Sequence, residues 1–194
     1  MEPTHEQNAI EAQLLAAVAS GDTQAFERLS HIYEKRVFHY VSTLVRDEAV
    51  AKDVVVEVMV AMWRGACTFT NMSRVSTWIF GIARHKAFDA LRKVIRSEQQ
   101  TMELEHVAHL PNPAEGPVET IDRKQVAALT RQAISKLSRA HQEVIRLAFY
   151  EELPYEEIAT LLGTPVNTVK TRVYYAKQQL KQQLDRLLHR ESVP

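Results

Sequence analysis

The sequence predicts an all-α protein built from two small helical domains that a flexible linker joins. Glycine is scarce, with 5 residues in 194, while the good helix formers Ala, Leu, Glu, Gln, Lys and Arg are plentiful. Segment 97–121 has no sustained apolar period and contains three prolines, one glycine and several acids. We therefore expect a helical domain at 10–96, a flexible acidic linker at 97–121 and a helical domain at 122–190.

Four helices are expected in the first domain. A short helix ends at Gly21, and Asp22 caps a second helix with a long apolar stripe. Asp47 starts a third helix, and a fourth helix begins at Val75 after a polar loop that contains Phe69. These helices are long enough to bury one core.

The third helix is unusually apolar for a surface element. Burial in a helical bundle explains this composition. A partner-binding face would explain it as well, with apolar contacts rimmed by Asp53 and Glu57. Taken alone, the pattern favours burial.

The fourth helix is basic away from its apolar stripe. Its outer side or margins carry Trp78, Arg84, His85, Lys86, Arg92, Lys93 and Arg96. A Phe and a Trp beside a basic helix suit single-stranded DNA, because bases stack on aromatic rings while cations follow the phosphates. Core packing explains Trp78 almost as well.

The strongest DNA-binding pattern lies in the last third of the chain. A short helix from Tyr155 ends at Gly163, and Thr164 is placed to cap a second helix with Pro165 at its first position. Two short helices joined by a tight glycine turn form a helix-turn-helix, whose second helix can enter the major groove of DNA. An ordinary corner between two helices would use the same turn chemistry.

The second helix of this pair favours DNA binding over a plain helical corner. Its apolar stripe is Val166, Val169, Val173, Ala176 and Leu180. The other side carries Asn167, Lys170, Thr171, Tyr174, Tyr175 and Gln178. Amide, hydroxyl, aromatic and cationic groups contact base edges and phosphates, whereas a merely solvated face is more often rich in Glu and Lys.

The formal net charge is zero, but the charges are unevenly distributed. Residues 61–100 carry seven basic and two acidic side chains, and residues 163–194 carry six and two. Residues 101–123 carry one basic and five acidic side chains. Local basic patches favour phosphate contact, and the acidic stretches oppose indiscriminate binding.

Several classes of function are disfavoured by the composition. The single cysteine, Cys67, forms no internal disulfide or cysteine zinc cluster, and the eight histidines do not fall at metal-ligand spacings. No paired carboxylates, glycine-rich phosphate loop or nucleophile motif supports an enzyme, so we expect no catalytic residue, metal or cofactor. The chain has no secretory signal pattern and no apolar run of about 18 residues, which predicts a cytoplasmic protein without membrane insertion.

In their order along the chain, these motifs resemble a bacterial RNA polymerase sigma factor of the sigma-70 family, extracytoplasmic-function (ECF, group IV) type. The resemblance covers about residues 14–188. It is carried by segments 20–26, 47–69, 76–84, 87–93, 137–150 and 155–180. A helix-turn-helix occurs in many regulators, but this succession of motifs is specific. The family's regions 1.1 and 3 are absent, as is usual in this group.

The resemblance implies a protein that docks on core RNA polymerase and supplies promoter specificity. The third helix would pack on the clamp coiled coil of the β′ subunit through Asp53, Val54, Glu57, Val58, Met62 and Trp63. The second domain would sit on the β flap and read the minus-35 duplex through Asn167, Thr168, Lys170, Thr171, Arg172, Tyr174 and Tyr175. The first domain would capture the melted minus-10 strand through Phe69, Asn71, Arg74, Ser76, Trp78, Arg84, His85, Arg92 and Lys93.

The resemblance also implies control by an anti-sigma factor, through which the protein would be held at the membrane. Three positions depart from the family pattern: Val56 replaces the usual Gln, Met59 the usual Phe, and Pro154 the usual Ser. The main alternative is a helix-turn-helix regulator with an N-terminal sensor or dimerisation domain, which would bind a palindromic site by itself. An enzyme is the remaining alternative.

Overall fold

The computed structural model describes residues 5–45, 47–100 and 121–190. Within these ranges every regular element is helical, which confirms the all-α prediction. The helices are α1 (His5–Ala19), α2 (Thr23–Leu44), α3 (Glu48–Gly65), α4 (Val75–Gln100), α5 (Ile121–Ser135), α6 (Arg139–Ile145), α7 (Tyr155–Leu162) and α8 (Val166–Arg190). A short 3-10 turn, Ala66–Thr68, follows α3, and a π-helical turn, Arg146–Tyr150, follows α6.

The caps of α2 and α3 and the start of α4 at Val75 agree with the sequence prediction, whereas α4 continues to Gln100, past the expected domain boundary at residue 96. The Asp22 carboxylate accepts the backbone N–H of Gln24 at 2.8 Å and so caps α2. Asp47 caps α3 in the same way, because it accepts the backbone N–H of Val50 at 3.0 Å. Gly21 has φ of 90°, a left-handed conformation that glycine adopts without strain, and it separates α1 from α2.

The segment expected to be a linker is described only at its two ends. Helix α4 continues to Gln100, and α5 begins at Ile121. Residues 101–120 lie outside the described residues, so the flexible linker stays a prediction.

Helices α1 to α4 form the first half of the chain, and helices α5 to α8 form the second half. The two halves share one continuous cluster of buried apolar side chains. Helix α2 packs on α6, and α4 packs on α7. Tyr40 of α2 and Phe80 of α4 are fully buried, and their rings meet edge to face with centroids 5.3 Å apart. The packing places the loop before α4 and one side of α4 directly against the second half of the chain.

Candidate nucleic-acid interface

The turn between α7 and α8 has the geometry of a helix-turn-helix. Gly163 is left-handed, with φ of 63°. Its N–H donates to the Thr160 carbonyl at 3.2 Å, and the Thr164 N–H donates to the Ala159 carbonyl at 3.0 Å. This pair of hydrogen bonds is a common way to end a helix, and it redirects the chain within two residues.

The expected cap of α8 is wrong in its detail. The Thr164 hydroxyl is buried and has no hydrogen-bond partner among the described residues, so it does not cap the helix. The helix begins at Val166 instead, and the Pro165 carbonyl accepts the backbone N–H of Thr168 at 2.9 Å. A side-chain cap at Thr164 would accept the N–H of Val166 or Asn167 instead, so this bond does not replace the expected cap.

Helix α8 buries its apolar stripe and exposes the opposite side. Val169, Val173 and Ala176 are buried in the core. The proposed duplex-contacting residues Asn167, Lys170, Thr171, Tyr174 and Tyr175 are exposed, and Thr168 and Arg172 are half-buried at the edges. Most of the polar side of α8 is therefore accessible.

Local hydrogen bonds order this exposed face. The Thr171 hydroxyl donates to the Asn167 carbonyl at 2.8 Å. The Gln178 amide donates to the Tyr174 hydroxyl at 2.8 Å, and the rings of Tyr174 and Tyr175 lie 5.5 Å apart. The two tyrosines are 58% and 52% exposed, so both rings can be reached by DNA.

The loop before α4 presents an aromatic pair and an amide. The rings of Phe69 and Trp78 lie 5.5 Å apart, and both side chains are half-buried. Trp78 also packs on the backbone of α3, since a Cβ at Gly65 would lie 3.3 Å from the indole. Asn71 is exposed and left-handed, with φ of 57°, a conformation that Asn tolerates better than most residues. Trp78 is therefore part core and part surface.

The basic side of α4 is partly occupied by other side chains. Arg84 donates through Nε to Glu143 at 3.0 Å and lies 4.7 Å over the ring of Phe88. Arg92 donates a hydrogen bond to Asp89, which lowers the pKa of Asp89, and His85 Nδ1 lies 3.1 Å from the other Asp89 oxygen. His85, Arg92 and Lys93 remain exposed.

Ser76 does not fit its expected role. Only 5% of Ser76 is exposed, so it offers almost no surface to a DNA strand. The neighbouring Thr77 is buried as well, and its hydroxyl donates to Glu157 of α7. Phe88 is the residue that sequence reasoning missed on this side, since 37% of it is exposed beneath Arg84.

Helix α3 is both a core helix and a surface helix. Asp53 and Glu57 are exposed, and Glu57 pairs with Lys86 of α4 at 3.1 Å. The other exposed members are apolar: Val56 is 64%, Val60 43% and Trp63 36% exposed. Spacings of four and three residues place these three side chains on one face.

The expected set of polymerase contacts needs correction on this helix. Val54, Val58 and Met62 are at most 2% exposed and belong to the core. A partner could touch them only if the bundle came apart. Val56 and Val60, which the sequence interpretation did not include, occupy the exposed apolar positions instead.

Carboxylates of the second half contact the first half at three places that the sequence did not predict. Glu143 and Glu151 are buried, and Glu157 is half-buried. Burial and the nearby carboxylate of Glu143 raise the pKa of Tyr40, which donates its hydroxyl to that carboxylate at 2.9 Å. The partners are far apart in sequence, and no local spacing of residues marks them.

A cavity of about 540 Å³ lies where α4 meets α7. Thr77, Trp78 and His85 line it from the first half, and Thr160 and Leu161 line it from the second. The cavity therefore borders the aromatic pair proposed for strand capture, and α7 forms its other wall.

Two further findings concern the described residues, 5–45, 47–100 and 121–190. In these ranges no helix is both long enough and apolar enough to cross a membrane. The same ranges hold no group of three or more His, Cys, Asp or Glu side chains that could bind a metal ion.

Comparison with known proteins assigns the family. The model of sigma-70 region 2 matches residues 29–96, and the model of sigma-70 region 4 matches residues 128–180. Both matches occur in the order in which the family carries them. The chain is a sigma-70 family factor of the ECF type.

Individual relatives extend the match to most of this sigma factor. It is 29% identical to the RNA polymerase sigma-H factor of Pseudomonas aeruginosa over 182 residues, which are 91% of this chain and 94% of the relative. It is 28% identical to the ECF RNA polymerase sigma factor RpoE of Cereibacter sphaeroides over 164 residues, 84% of this chain and 88% of the relative. The fold resembles that of the sigma factor RpoE of Bartonella quintana, solved with the anti-sigma factor NepR, with a TM-score of 0.65 at 22% identity over 82% of this chain and 96% of that one.

Proposed function

We propose that this sigma factor binds core RNA polymerase and directs promoter-specific initiation of transcription. Helix α8 would read the minus-35 duplex, and the loop before α4 together with α4 would capture the melted minus-10 strand. The observation that carries the proposal is the ordered match to regions 2 and 4 on a chain whose α8 polar side is largely exposed. Bond making in RNA would belong to the polymerase, so no residue is assigned a catalytic role.

The polymerase-binding face is proposed to be the exposed side of α3. Val56, Val60 and Trp63 present apolar surface there, and Asp53 and Glu57 lie beside them. Apolar and aromatic side chains at the centre of a contact supply most of its binding energy, while charges at the rim set orientation and partner choice. This arrangement suits a helical partner such as the clamp coiled coil of β′, and the second half would sit on the β flap.

The strand-capture surface is proposed to centre on Phe69, Asn71 and Trp78. An unpaired base could stack on the aromatic pair, with each stack contributing about 1–3 kcal/mol. The exposed Asn71 amide could then hydrogen-bond to the edge of that base, and Lys93 and Arg92 could follow the phosphates. These contributions would offset the cost of unpairing.

Control by an anti-sigma factor and a cytoplasmic location are also proposed. Both proposals rest on membership of the family. The cytoplasmic location follows because the polymerase and its promoters are cytoplasmic. An anti-sigma factor bound to the membrane would hold the protein there until it is released.

Reconstitution with bacterial core polymerase tests the proposed function. We expect the holoenzyme to start transcription at defined promoters, which mapping of transcript 5′ ends would detect. The protein alone should bind the same promoters poorly in gel-shift titrations. Tight, sequence-specific binding of a palindromic site by the protein alone would instead establish the ordinary helix-turn-helix regulator.

Charge reversal on α3 tests the polymerase face separately. Replacing Asp53 and Glu57 together by Lys should weaken core binding at least about tenfold, because like charges across a contact are unfavourable. Folding should persist, since exposed carboxylates contribute little to stability. The matched control is Glu27→Lys with Glu34→Lys, which reverses two exposed acids of α2. Equal pull-down of core polymerase by both double variants would show that the face is misassigned.

A further inference from the structure

We propose that α1 takes part in reading the melted strand, through a pocket between α1 and the loop before α4 in which Asn8 contacts an unstacked base. This inference rests on the proposed function of that loop as the strand-capture surface. It adds to the surface a residue from another helix, with a share in selecting the captured base. Residue 8 lies before the segment that matches sigma-70 region 2, which begins at residue 29.

The pocket has a volume of about 380 Å³. Asn8, Ala9 and Ala12 line it from α1, and Phe69 and Asn71 line it from the loop. Cavities that hold small ligands begin at about 300 Å³, so this space admits a single nucleobase. The pocket is continuous with the proposed strand-capture surface, because Phe69 and Asn71 belong to both.

Helix α1 is held firmly beside the loop. It packs on the 3-10 turn Ala66–Thr68, which leads into the loop. Glu11 is only 4% exposed, and its carboxylate accepts the hydroxyl of the buried Tyr33 from α2. Asn8 precedes Glu11 by three residues and Ala12 by four, so it lies on the same side of the helix. The amide is therefore placed before any strand arrives, which lowers the entropic cost of binding.

The two amides of the pocket are not used by the protein itself. The side chains of Asn8 and Asn71 make no hydrogen bond to the described part of the chain. Asn8 is nevertheless half-buried, so its amide has lost part of its contact with water. A ligand that supplies hydrogen bonds to such a group gains more than one that binds a fully hydrated amide.

An amide beside an aromatic ring suits the recognition of one unstacked base. The ring of Phe69 offers a surface for stacking, and an Asn amide presents a carbonyl acceptor next to an amino donor. This pattern complements a base whose amino group lies next to an accepting ring nitrogen, as in adenine and cytosine. We therefore expect Asn8 and Asn71 together to favour adenine or cytosine at one position of the melted strand.

The test measures binding of single-stranded minus-10 oligonucleotides to the reconstituted holoenzyme by fluorescence anisotropy. Each position of the element carries in turn one of the four bases or an abasic site. Asn8→Ala removes the amide and keeps the helix, because Ala is the best helix former. Gln13→Ala is the matched control, since it removes an exposed amide of α1 that does not line the pocket. Asn71→Gly removes the amide of the loop.

We expect Asn8→Ala to weaken binding about fivefold for the preferred base at one position, the effect of one hydrogen bond, and to change the other bases there little. Asn71→Gly should lower the preference at the same position, and Gln13→Ala should bind as the unmodified protein. On a strand that is abasic at this position, Asn8→Ala and the unmodified protein should bind equally, because no base is left for the amide to contact.

Three results would overturn the inference. Equal weakening on all four bases and on the abasic strand would show that Asn8 only supports the fold. An unchanged preference in Asn8→Ala together with an altered one in Asn71→Gly would confine base reading to the loop and leave the proposed strand capture standing. If neither variant alters the preference at any position, the pocket holds no base, and the strand-capture assignment is itself wrong.

Discussion

The polar face of α8 and the basic side of α4 differ in how much else their residues do. On α8, Tyr174 and Tyr175 stand on a buried Val169/Val173 stripe and contribute nothing to the core themselves. On the α4 side, Trp78 packs on α3, and Arg84 pairs with the second half of the chain. The proposed duplex face lies on a single helix, whereas the proposed strand face is formed by residues that also pack in the bundle.

This difference separates the roles of the two faces before any DNA is present. A face that belongs to one helix can bind DNA wherever that helix is brought to it. A face shared with the core and with the other half responds to changes in either, so it can be regulated. The following predictions test the difference from the largest expected effect to the smallest.

The most direct comparison removes one aromatic ring from each face. Trp78→Ala should lower the free energy of unfolding by about 2–4 kcal/mol, somewhat less than a full core Trp→Ala change because the indole is only half-buried. Tyr174→Ala should stay within about 0.5 kcal/mol, as is usual for a surface substitution. Chemical denaturation followed by circular dichroism measures both values. Equal losses would mean that the two faces are built alike.

The second comparison concerns base reading by the duplex face. The Thr171 hydroxyl donates to the Asn167 carbonyl, so it is left to act as an acceptor toward a base amino group. Thr171→Ala should change the preference at one base pair of the minus-35 element by about 1–3 kcal/mol. Holoenzyme binding to a set of duplexes that differ at single positions gives this value.

Lys170→Ala on the same face should act differently. Its exposed ammonium group is placed for a phosphate, so binding should weaken almost equally on all sequences. The slope of log K against log salt should become smaller by about 1. A sequence-dependent loss with no change in slope would show that Lys170 reads a base.

The third comparison addresses the strand face through its loop. Asn71→Ala would combine the loss of the amide with the strain of a left-handed alanine, about 1–2 kcal/mol. Asn71→Gly removes only the amide, because glycine accepts this conformation. We expect the glycine variant to reduce strand opening by an amount worth about 1 kcal/mol, one hydrogen bond, and to leave duplex binding nearly intact.

Permanganate reactivity of promoter thymines measures that opening in the holoenzyme. The domains would be assigned the wrong way round if Asn71→Gly opened promoters normally while Thr171→Ala abolished opening but not initial binding. Reduced opening by Asn71→Ala alone would indicate strain in the loop rather than a lost contact.

The sequence predicted the parts of this molecule that are determined locally. The caps at Asp22 and Asp47, the turn at Gly163 and the stripe along α8 follow from residue spacing and turn chemistry, and the structure confirms them. Thr164 failed as a cap, since its hydroxyl is buried and accepts no N–H from the first turn of α8. Local rules rank the candidate caps but do not decide which candidate the packing will use.

Tertiary packing determined what the sequence could not show. Val54 and Val56 are chemically the same, yet one is in the core and the other is 64% exposed, because α3 is covered along only one side. The Arg36–Glu151 pair joins residues 115 positions apart, and no local period marks either residue. Both examples concern which surfaces meet, and residue spacing alone does not determine that.

The smallest expected effect is a weak pH dependence, through His39, of the contact between the two halves of the chain. Partial burial of the ring lowers the pKa of His39 below its usual value of 6.5, and the cations of Arg146 and Lys35 lower it further. Arg146 belongs to the second half of the chain, so separation of the two halves would relieve part of this effect. As pH falls through about 6.5, molecules whose halves have separated would take up a proton at His39 more readily, and the contact between the halves should weaken. The effect should be small because the His39 side chain remains largely accessible to solvent. Hydrogen exchange at the contact, compared at pH 7.5 and below pH 6, should therefore speed slightly more in the unmodified protein than in His39→Gln, which cannot titrate at that position. The same acceleration in both proteins would assign the pH dependence to other groups and leave Arg146 without influence on His39.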